Sequence, residues 1–373
     1  MEPVRLGMVG GGTGAFIGAV HRIAARMDGH FTLVAGALSS DPDRSRVSAV
    51  ALGLDPARSY DSFAEMALAE SQRKDGIEAV SIVTPNHLHA PAATEFLKRG
   101  IHVICDKPLT ATLPEAEALE QAARASSAQF ILTHNYTGYP MVRQARAMVA
   151  RGDLGQLRLV HVAYLQNWMT EAVEAQGSKQ AEWRTDPARA GAGGALGDIG
   201  THAHNLAGFI TGQQVESLAA DIQSFVPGRK LDDNAHVLLR FAGGMRGTLM
   251  CSQIAPGQEN GLSIKVFGDR GGLEWFQEHP NELWFTPHGE PTRRLSRMGA
   301  GAEQVAIDAS RVPPGHPEGY LEAFANIYAD TAAMLRSGVS DAVLPGIADG
   351  IAGMRFVTAC VASSENNSAW TQP

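Results

Sequence analysis

Apolar residues follow two different rhythms along this chain. Over residues 6–133, short apolar runs alternate with amphipathic stretches of helical length. The runs predict strands at 6–9, 31–38, 79–83, 101–105 and 129–133. The intervening stretches predict a helix from the first glycine-rich turn through residue 26, then helices at 44–52, 63–71, 91–99 and 114–125. Asp41-Pro42 opens the second helix and Gly100 ends the fourth, as expected of a capping carboxylate, a first-turn proline and a terminal glycine. Strands separated by helices need crossover connections, so they form a parallel sheet with right-handed crossovers.

Past about residue 135 the rhythm changes. A helix at 139–151 leads to a strand at 157–166, a glycine-rich loop and a helix near 202–211. Strands then follow at short spacing (217–225, 235–241, 245–254, 262–267, and shorter ones near Trp275 and Leu283). Tight turns such as Ala242-Gly243-Gly244 and Asp269-Arg270-Gly271-Gly272 join them, which gives mainly antiparallel pairing. Helices at 320–336 and near 346–363 are expected to cover that sheet. The pattern predicts an α/β chain of two domains: residues 1–135 around a parallel sheet, and residues 136–373 as an α/β domain with a large, mainly antiparallel open sheet.

Bulk properties agree with that division. A chain of 373 residues exceeds one ordinary hydrophobic core. Its 44% apolar and 19% charged residues are typical of a globular enzyme. A net charge of -8 argues against nucleic acid or an anionic membrane as the partner. The three cysteines, Cys105, Cys251 and Cys360, lie far apart without metal-ligand spacing, which fits a reducing compartment. No secretory leader and no apolar run of membrane-spanning length is visible, so a cytoplasmic location is expected.

The first candidate chemistry lies between the first strand and first helix, in Val9-Gly10-Gly11-Gly12-Thr13-Gly14-Ala15-Phe16-Ile17-Gly18. Glycines there permit a tight turn and bring backbone N–H groups up to a pyrophosphate at a helix N-terminus. Gly10, Gly12 and Ala15 satisfy the dinucleotide fingerprint in its Gly/Ala-ended form, so the first domain reads as a Rossmann domain for NAD or NADP. At the end of the second strand, where a carboxylate would bind the ribose of NAD, stands Leu38-Ser39-Ser40-Asp41, with Arg44 shortly after. The hydroxyls and guanidinium tilt the expectation toward the 2′-phosphate of NADP, while Asp41 reads equally well as the cap of the next helix. Thr84-Pro85-Asn86 follows the third strand at the ligand-binding carboxyl edge. Asn86 is there either to bond the nicotinamide ribose or simply to turn the chain.

Two further motifs carry candidate chemistry. Cys105-Asp106-Lys107-Pro108 closes the fourth strand, an unusual place for an ammonium group, and proline stiffens the chain beside it. Far downstream runs Gly193-Gly194-Ala195-Leu196-Gly197-Asp198-Ile199-Gly200-Thr201-His202. If that segment is helical, Asp198 and His202 share a face.

Together with Thr84-Pro85-Asn86, His89 and Trp183-Arg184, these motifs resemble the Gfo/Idh/MocA family of sugar and polyol oxidoreductases over nearly the whole chain. Within the family the look is nearest to the inositol dehydrogenase and rhizopine-catabolism branch. The resemblance implies Lys107, Asp198 and His202 as the catalytic set. His202 would take a hydroxyl proton as hydride leaves the adjacent carbon, a role that suits an imidazole pKa near working pH. Lys107 would stabilise developing oxyanion character, and Asp198 would orient the substrate or the base. It implies coenzyme contacts from Gly10, Gly12, Thr13, Gly14, Ala15, Phe16, Ile17, Ser39, Ser40, Arg44, Thr84, Asn86, His89, Asp106 and Lys107. Substrate contacts would come from Lys107, Tyr136, Trp168, Trp183, Arg184, Asp198 and His202. For the aromatic residues, core packing is an equally good reading.

Two features depart from the family pattern. Asp106 stands where Glu usually precedes the lysine, and the glycine-rich loop runs longer, to Gly18, with His21 in the first helix as a structural residue. His202-Ala203-His204 has a spacing found at zinc sites, but it lacks the further ligands such a site needs, so no metal is expected. His204 instead faces substrate or helix packing. The resemblance implies a small sugar or polyol as partner and, with one sheet face left to be covered, a homodimer or homotetramer. Two other functions share the scaffold. One is a sugar 3-dehydrogenase or glycoside-cleaving enzyme that oxidises transiently with retained coenzyme. The other is a non-catalytic coenzyme-sensing regulator, for which all three of Lys107, Asp198 and His202 are superfluous.

Overall fold

The computed structural model describes residues 2–338 and 343–373. Two compact units emerge: the chain up to Asn135 together with Leu321–Ile351, and Tyr136–Tyr320 together with Ala352–Pro373.

The first unit holds five parallel strands, β1 (Val4–Gly10), β2 (Phe31–Ala37), β3 (Ala79–Val83), β4 (His102–Cys105) and β5 (Phe130–Leu132), in the order β2-β1-β3-β4-β5. The central β3 is buried along its whole length, as a parallel strand covered on both faces must be. The connecting helices are α1 (Phe16–Met27), α2 (Pro42–Ala51), α3 (Phe63–Ser71), α4 (His89–Leu97) and α5 (Leu113–Arg124). Local chemistry sets their starts. Asp41 caps α2 by accepting from the Arg44 amide at 3.0 Å, and Thr112 with Glu115 forms a capping box on α5. Helix α4 begins two residues earlier than the sequence pattern implied, because a 3-10 turn over Asn86–Leu88 runs directly into it.

Because β1 is followed by β2 on one side and β3 by β4 on the other, the connections after these two adjacent strands run in opposite directions and a crevice opens beyond their carboxyl ends. Helix α1 packs against the turn after β1 at a glycine–glycine approach. A methyl group on Gly18 would lie 2.3 Å from the Gly11 Cα.

The second unit begins with α6 (Pro140–Arg151) and β6 (Leu157–Leu165). The short helices α7 (Lys179–Arg184) and α8 (Pro187–Ala190) precede a π-helical turn, Leu196–Gly200, and α9 (Thr201–Thr211). There follow β7 (Val215–Gln223), β8 (Asn234–Phe241), β9 (Arg246–Ser252), β10 (Gly261–Gly268), β11 (Gly271–Phe276), β12 (Glu282–Pro287), β13 (Arg293–Ser296) and α10 (Gln304–Asp308). The eight strands form one sheet, β13-β12-β11-β10-β6-β9-β8-β7, antiparallel at every registered pair but β6–β9. Helices α6 and α9 lie against one face. The alternating pattern of β10 aims Leu262, Ile264 and Val266 into this core. On the opposite face a single cross-strand row runs Trp284, Glu274, Lys265, His161, Thr248, Leu238. Leu238 is 52% exposed there, and Leu159, on β6 two strands away, is 54% exposed. The four-residue edge strand β13 and the short α7, α8 and α10 were not visible in the pattern, being too short to show a period.

The late helices divide differently from expectation. From Leu321 on, α11 (Tyr320–Ser337) belongs to the first unit and does not cover the second sheet. Its Tyr328 hydroxyl lies 2.9 Å from His21 Nδ1 and 3.1 Å from Ser81 Oγ, and its ring stands edge-on to Phe31. An amphipathic pattern tells that a helix has a buried face, but here a polar match with buried His21 and Ser81 chooses the surface. From Ala352 on, α12 (Ile347–Glu365) does serve the second unit, with Ser363 and Ser364 accepting from the Ala220 and Ile222 amides of β7. Among the described residues no helix is long and apolar enough to cross a membrane.

Replacing Gly18 with Ala is expected to force α1 away from Gly11 and destabilise the first unit by about 1–3 kcal/mol, the usual cost of overpacking. Urea denaturation of the variant measures it, and an unchanged midpoint refutes the close-approach account. A second expectation concerns acid. Burial pushes His21 down to about 4, with Asp106 opposing and Arg22 adding to the shift. The unfolded chain, with an ordinary histidine near 6.5, binds a proton in this window that the folded unit refuses. Stability of the first unit should therefore fall as pH drops from about 6.5 to 4. Amide exchange in β1 and β3, corrected for intrinsic rates, should speed up between those limits.

Candidate active site

The crevice of the first unit is built for close backbone approach. Gly10 and Gly11 have φ of 78° and 71°, the left-handed region that side chains disfavour. A methyl on Gly10 would also meet Thr84 Cγ2 and the Val83 carbonyl at 2.9 Å, so the ends of β1 and β3 nearly touch. Next, Gly12 donates to the Leu38 carbonyl (3.1 Å), and the Thr13 amide donates to Ser48 Oγ (3.0 Å). Ser48 in turn donates to Thr13 Oγ1 (3.2 Å). The Arg22 guanidinium reaches back to the Gly11 carbonyl.

Ala15 is the N-cap of α1 and supplies no capping side chain, while Gly14 has open space around it and Phe16 is 66% exposed. Gly18, beyond the fingerprint glycines, performs the helix-packing task. The glycine cradle, the start of α1 without a capping side chain at Ala15 and the buried Thr84 Oγ1, which has no protein partner among the described residues, together fit a dinucleotide pyrophosphate and its ribose.

At the end of β2, the Ser39 hydroxyl accepts from the Asp41 amide at 3.2 Å. The Asp41 carboxylate is the α2 cap, the second of the two roles open to it. Ser40 and Arg44 are exposed. Asn86 is buried and opens the 3-10 turn. His89 is buried with Nδ1 2.8 Å from the Pro108 carbonyl and Nε2 2.9 Å from that of Thr84. Burial lowers its pKa, so a neutral ring donates to one carbonyl at a time and braces the Thr84 loop against the Lys107 turn. Asp106 Oδ1 accepts from the Lys107 amide (2.9 Å) and the Thr133 hydroxyl (3.0 Å), which ties that turn to the end of β5. Lys107 itself is half-buried and precedes a cis proline peptide.

In the second unit, Asp198 and His202 sit on a continuous helical path whose first turn is π-helical, a widening frequent at functional sites. Asp198 Oδ2 accepts from Arg184 Nε (3.1 Å) and Gln253 Nε2 (3.0 Å). A polar chain continues from there. Gln166 Oε1 accepts from Gln253 (3.3 Å) and from the Trp168 indole (3.0 Å), and Gln166 Nε2 donates to Asn260 Oδ1 (2.9 Å).

Tyr164 also donates to Asn260 (2.7 Å) and shares a 2.5 Å contact with the Tyr136 hydroxyl. The Tyr136 ring is edge-on to His202 at 4.8 Å, and Tyr164 stands 6.2 Å from it. Burial raises the pKa of both phenols, that of Tyr164 well above its ordinary value, so they stay protonated donors. Arg184 lies over Trp183 at 4.3 Å and beside Trp168 at 6.0 Å. His204 points elsewhere. It stacks on Phe356 at 4.4 Å, and burial pushes it down to about 4.

Tyr136, Trp168, Arg184, Asp198 and His202 are thus brought into one cluster, with Trp183 stacked on its arginine. Gln166, Gln253, Asn260 and Tyr164 were not foreseen. Gln166 follows the end of β6, Gln253 follows β9 and Asn260 precedes β10. Leu165 pairs with both Ser252 and Gly261, so register alone makes the three amides neighbours. A polar residue just outside an apolar strand was the available signal, but it is shared with every strand end.

Two family models together match residues 4–274. Residues 4–145 match the family model described as the oxidoreductase family, NAD-binding Rossmann fold. Residues 142–274 match that of the GFO/IDH/MocA C-terminal domain. An uncharacterized oxidoreductase of Bacillus subtilis, YfiI, is 36% identical, covering 100% of this chain and 97% of its own length. The crystal structure of an oxidoreductase from Sinorhizobium meliloti is 57% identical with a TM-score of 0.91, covering 100% of both chains. That of an inositol dehydrogenase homolog from Azotobacter vinelandii, complexed with NADH and myo-inositol, is 38% identical with a TM-score of 0.92, covering 100% of this chain and 98% of that one. The chain belongs to the Gfo/Idh/MocA family of oxidoreductases, with a parallel NAD-binding Rossmann domain followed by a mainly antiparallel α/β domain.

Proposed function

We propose that this oxidoreductase oxidises a secondary hydroxyl of a neutral, inositol-like cyclic polyol or pyranose to a ketone, reversibly, with NAD(P). The observation that carries the substrate class is the polar chain around His202. Its neutral amides and phenols (Gln166, Gln253, Asn260, Tyr136, Tyr164) beside an indole suit a ring with many hydroxyls and apolar faces. The inositol dehydrogenase homolog with NADH and myo-inositol supports the same reading.

A bound nicotinamide would supply the acceptor for the hydride. His202 would accept the hydroxyl proton, its ring held by the edge contact with Tyr136. Asp198, held by Arg184 and Gln253, would orient a substrate hydroxyl or the base. Lys107, in the first unit, would stabilise developing negative charge on oxygen and relay a proton. Gly10, Gly12, Gly14, Ala15, Phe16 and Ile17 would line the pyrophosphate, with Thr13 shaping the loop through Ser48. The NADH complex of the relative supports NAD as coenzyme, while Ser39, Ser40 and Arg44 would also admit the 2′-phosphate of NADP.

The test is a panel of inositols and aldoses assayed separately with NAD and NADP. Turnover of at least one inositol is expected, and no turnover of any cyclic polyol refutes the substrate class. On the best substrate, Lys107→Met should keep coenzyme affinity and lose about 10²–10⁴-fold in kcat. Full activity in that variant sinks the role of Lys107. The open sheet face around Leu159 and Leu238 would pack against a second copy in a homodimer or homotetramer. Leu159→Lys with Leu238→Lys should then lower the sedimentation mass, whereas a monomeric wild type refutes the interface.

A further inference from the structure

We propose that Asp232, in the loop between β7 and β8, is the positioning residue of the helical path that carries Asp198 and His202. The proposal rests on the reading above that those two side chains act in turnover.

Asp232 holds three successive amides. Its Oδ1 accepts from Gly194 N at 2.5 Å, its Oδ2 from Leu196 N at 2.7 Å, and its backbone carbonyl from Ala195 N at 2.9 Å. Opening amides of a helix have no partner within the helix, and a carboxylate there also complements the helix dipole. The approach is so close that a methyl on Gly194 would lie 2.1 Å from the Asp232 carbonyl oxygen. This explains the second glycine of Gly193-Gly194 without invoking substrate.

The hold passes directly to the reacting groups. Leu196, fixed at its amide by Asp232, accepts at its carbonyl from Thr201 N across the π-helical turn. The next residue is His202, and Asp198 lies inside that wide turn. The neighbouring Asp233 extends the brace. Its carbonyl accepts from Gln253 N at 2.9 Å, and Gln253 holds Asp198. Its carboxylate takes the Phe225 and Val226 amides and Arg229. Arg229 reaches Glu174 and the carbonyls of Met169 and Glu171, just after Trp168. One dipeptide therefore sets the helix, the amide that holds Asp198 and the loop beside the indole. Burial pushes the Asp232 carboxyl up to about 6 although its two amide donors pull it down, and the Asp233 carboxylate adds to the rise. The carboxylate is retained there against a desolvation cost that a hydrophobic residue would not incur.

Asp232→Asn puts an NH2 against an N–H donor, and Gly194→Ala wedges the same contact with the carboxylate intact. On the polyol that the wild type oxidises best, both variants should lose at least about tenfold in kcat, the scale expected when a reacting group is slightly misplaced. Coenzyme Kd should stay unchanged and the NMR signals of the His202 ring should move. A purely architectural residue would lower stability and leave kcat per folded site alone. Wild-type kcat in a folded sample of either variant overturns the proposal. Amide exchange in the wild type needs neither variant nor substrate. Gly194 and Leu196 should exchange as slowly as the centre of α9, and rapid exchange there overturns the clamp. If the wild type turns over no polyol, the substrate reading has failed, and the exchange rates with the His202 signals decide this inference alone.

Discussion

The opening amides of a helix need acceptors that the helix cannot provide, and much of this molecule follows from how each helix start is answered. Asp41 closes α2 and the Thr112–Glu115 box closes α5, both with side chains next to the start in sequence. Helix α1 is different, because Ala15 offers no capping side chain and glycines bare the backbone beside it. That start fits an outside anion. The path into α9 is closed from a distance, by Asp232 on the far side of β7. One helix start in the first unit is thus shaped for a coenzyme, and one in the second is sealed so that Asp198 and His202 are held in place.

Strand register does the comparable work for the neutral groups. The ends of β6, β9 and β10 are neighbours, so Gln166, Gln253 and Asn260 meet and link Asp198 to the buried tyrosines. Such a chain of mutually satisfied amides and hydroxyls is rigid, because each member's freedom to turn is limited by its partner's remaining donors and acceptors. The ionic groups are handled in the same way. Arg184 is matched by Asp198, and Arg229 by Asp233 and Glu174.

Much of this was readable beforehand where the signal was local. Strand and helix positions in the first unit followed from apolar runs, caps and glycines, to within a few residues. Gly10 and Lys107 stood out because glycine and an ammonium-bearing side chain are unusual at the ends of apolar strands, whereas Asp198 and His202 drew attention through their four-residue spacing and the family resemblance. The antiparallel character of the second sheet came from its tight turns. Nothing local distinguished Asp232 from other acidic loop residues, or Gln253 from any glutamine after a strand. The periodicity of α11 is the same whichever surface it covers, so it does not reveal that the helix joins the first unit, where Tyr328 meets His21 and Ser81.

The amino-acid sequence by itself determined the parallel and antiparallel sheets, their order along the chain and the glycine cradle, since each depends on near neighbours or on a short period. Tertiary structure alone decided which strand ends adjoin, where α11 docks, which glycine packs α1 and which carboxylate closes the helix before His202. Those choices rest on contacts between residues far apart in the chain, where geometry and mutual hydrogen-bond satisfaction select the partner and no local pattern records it.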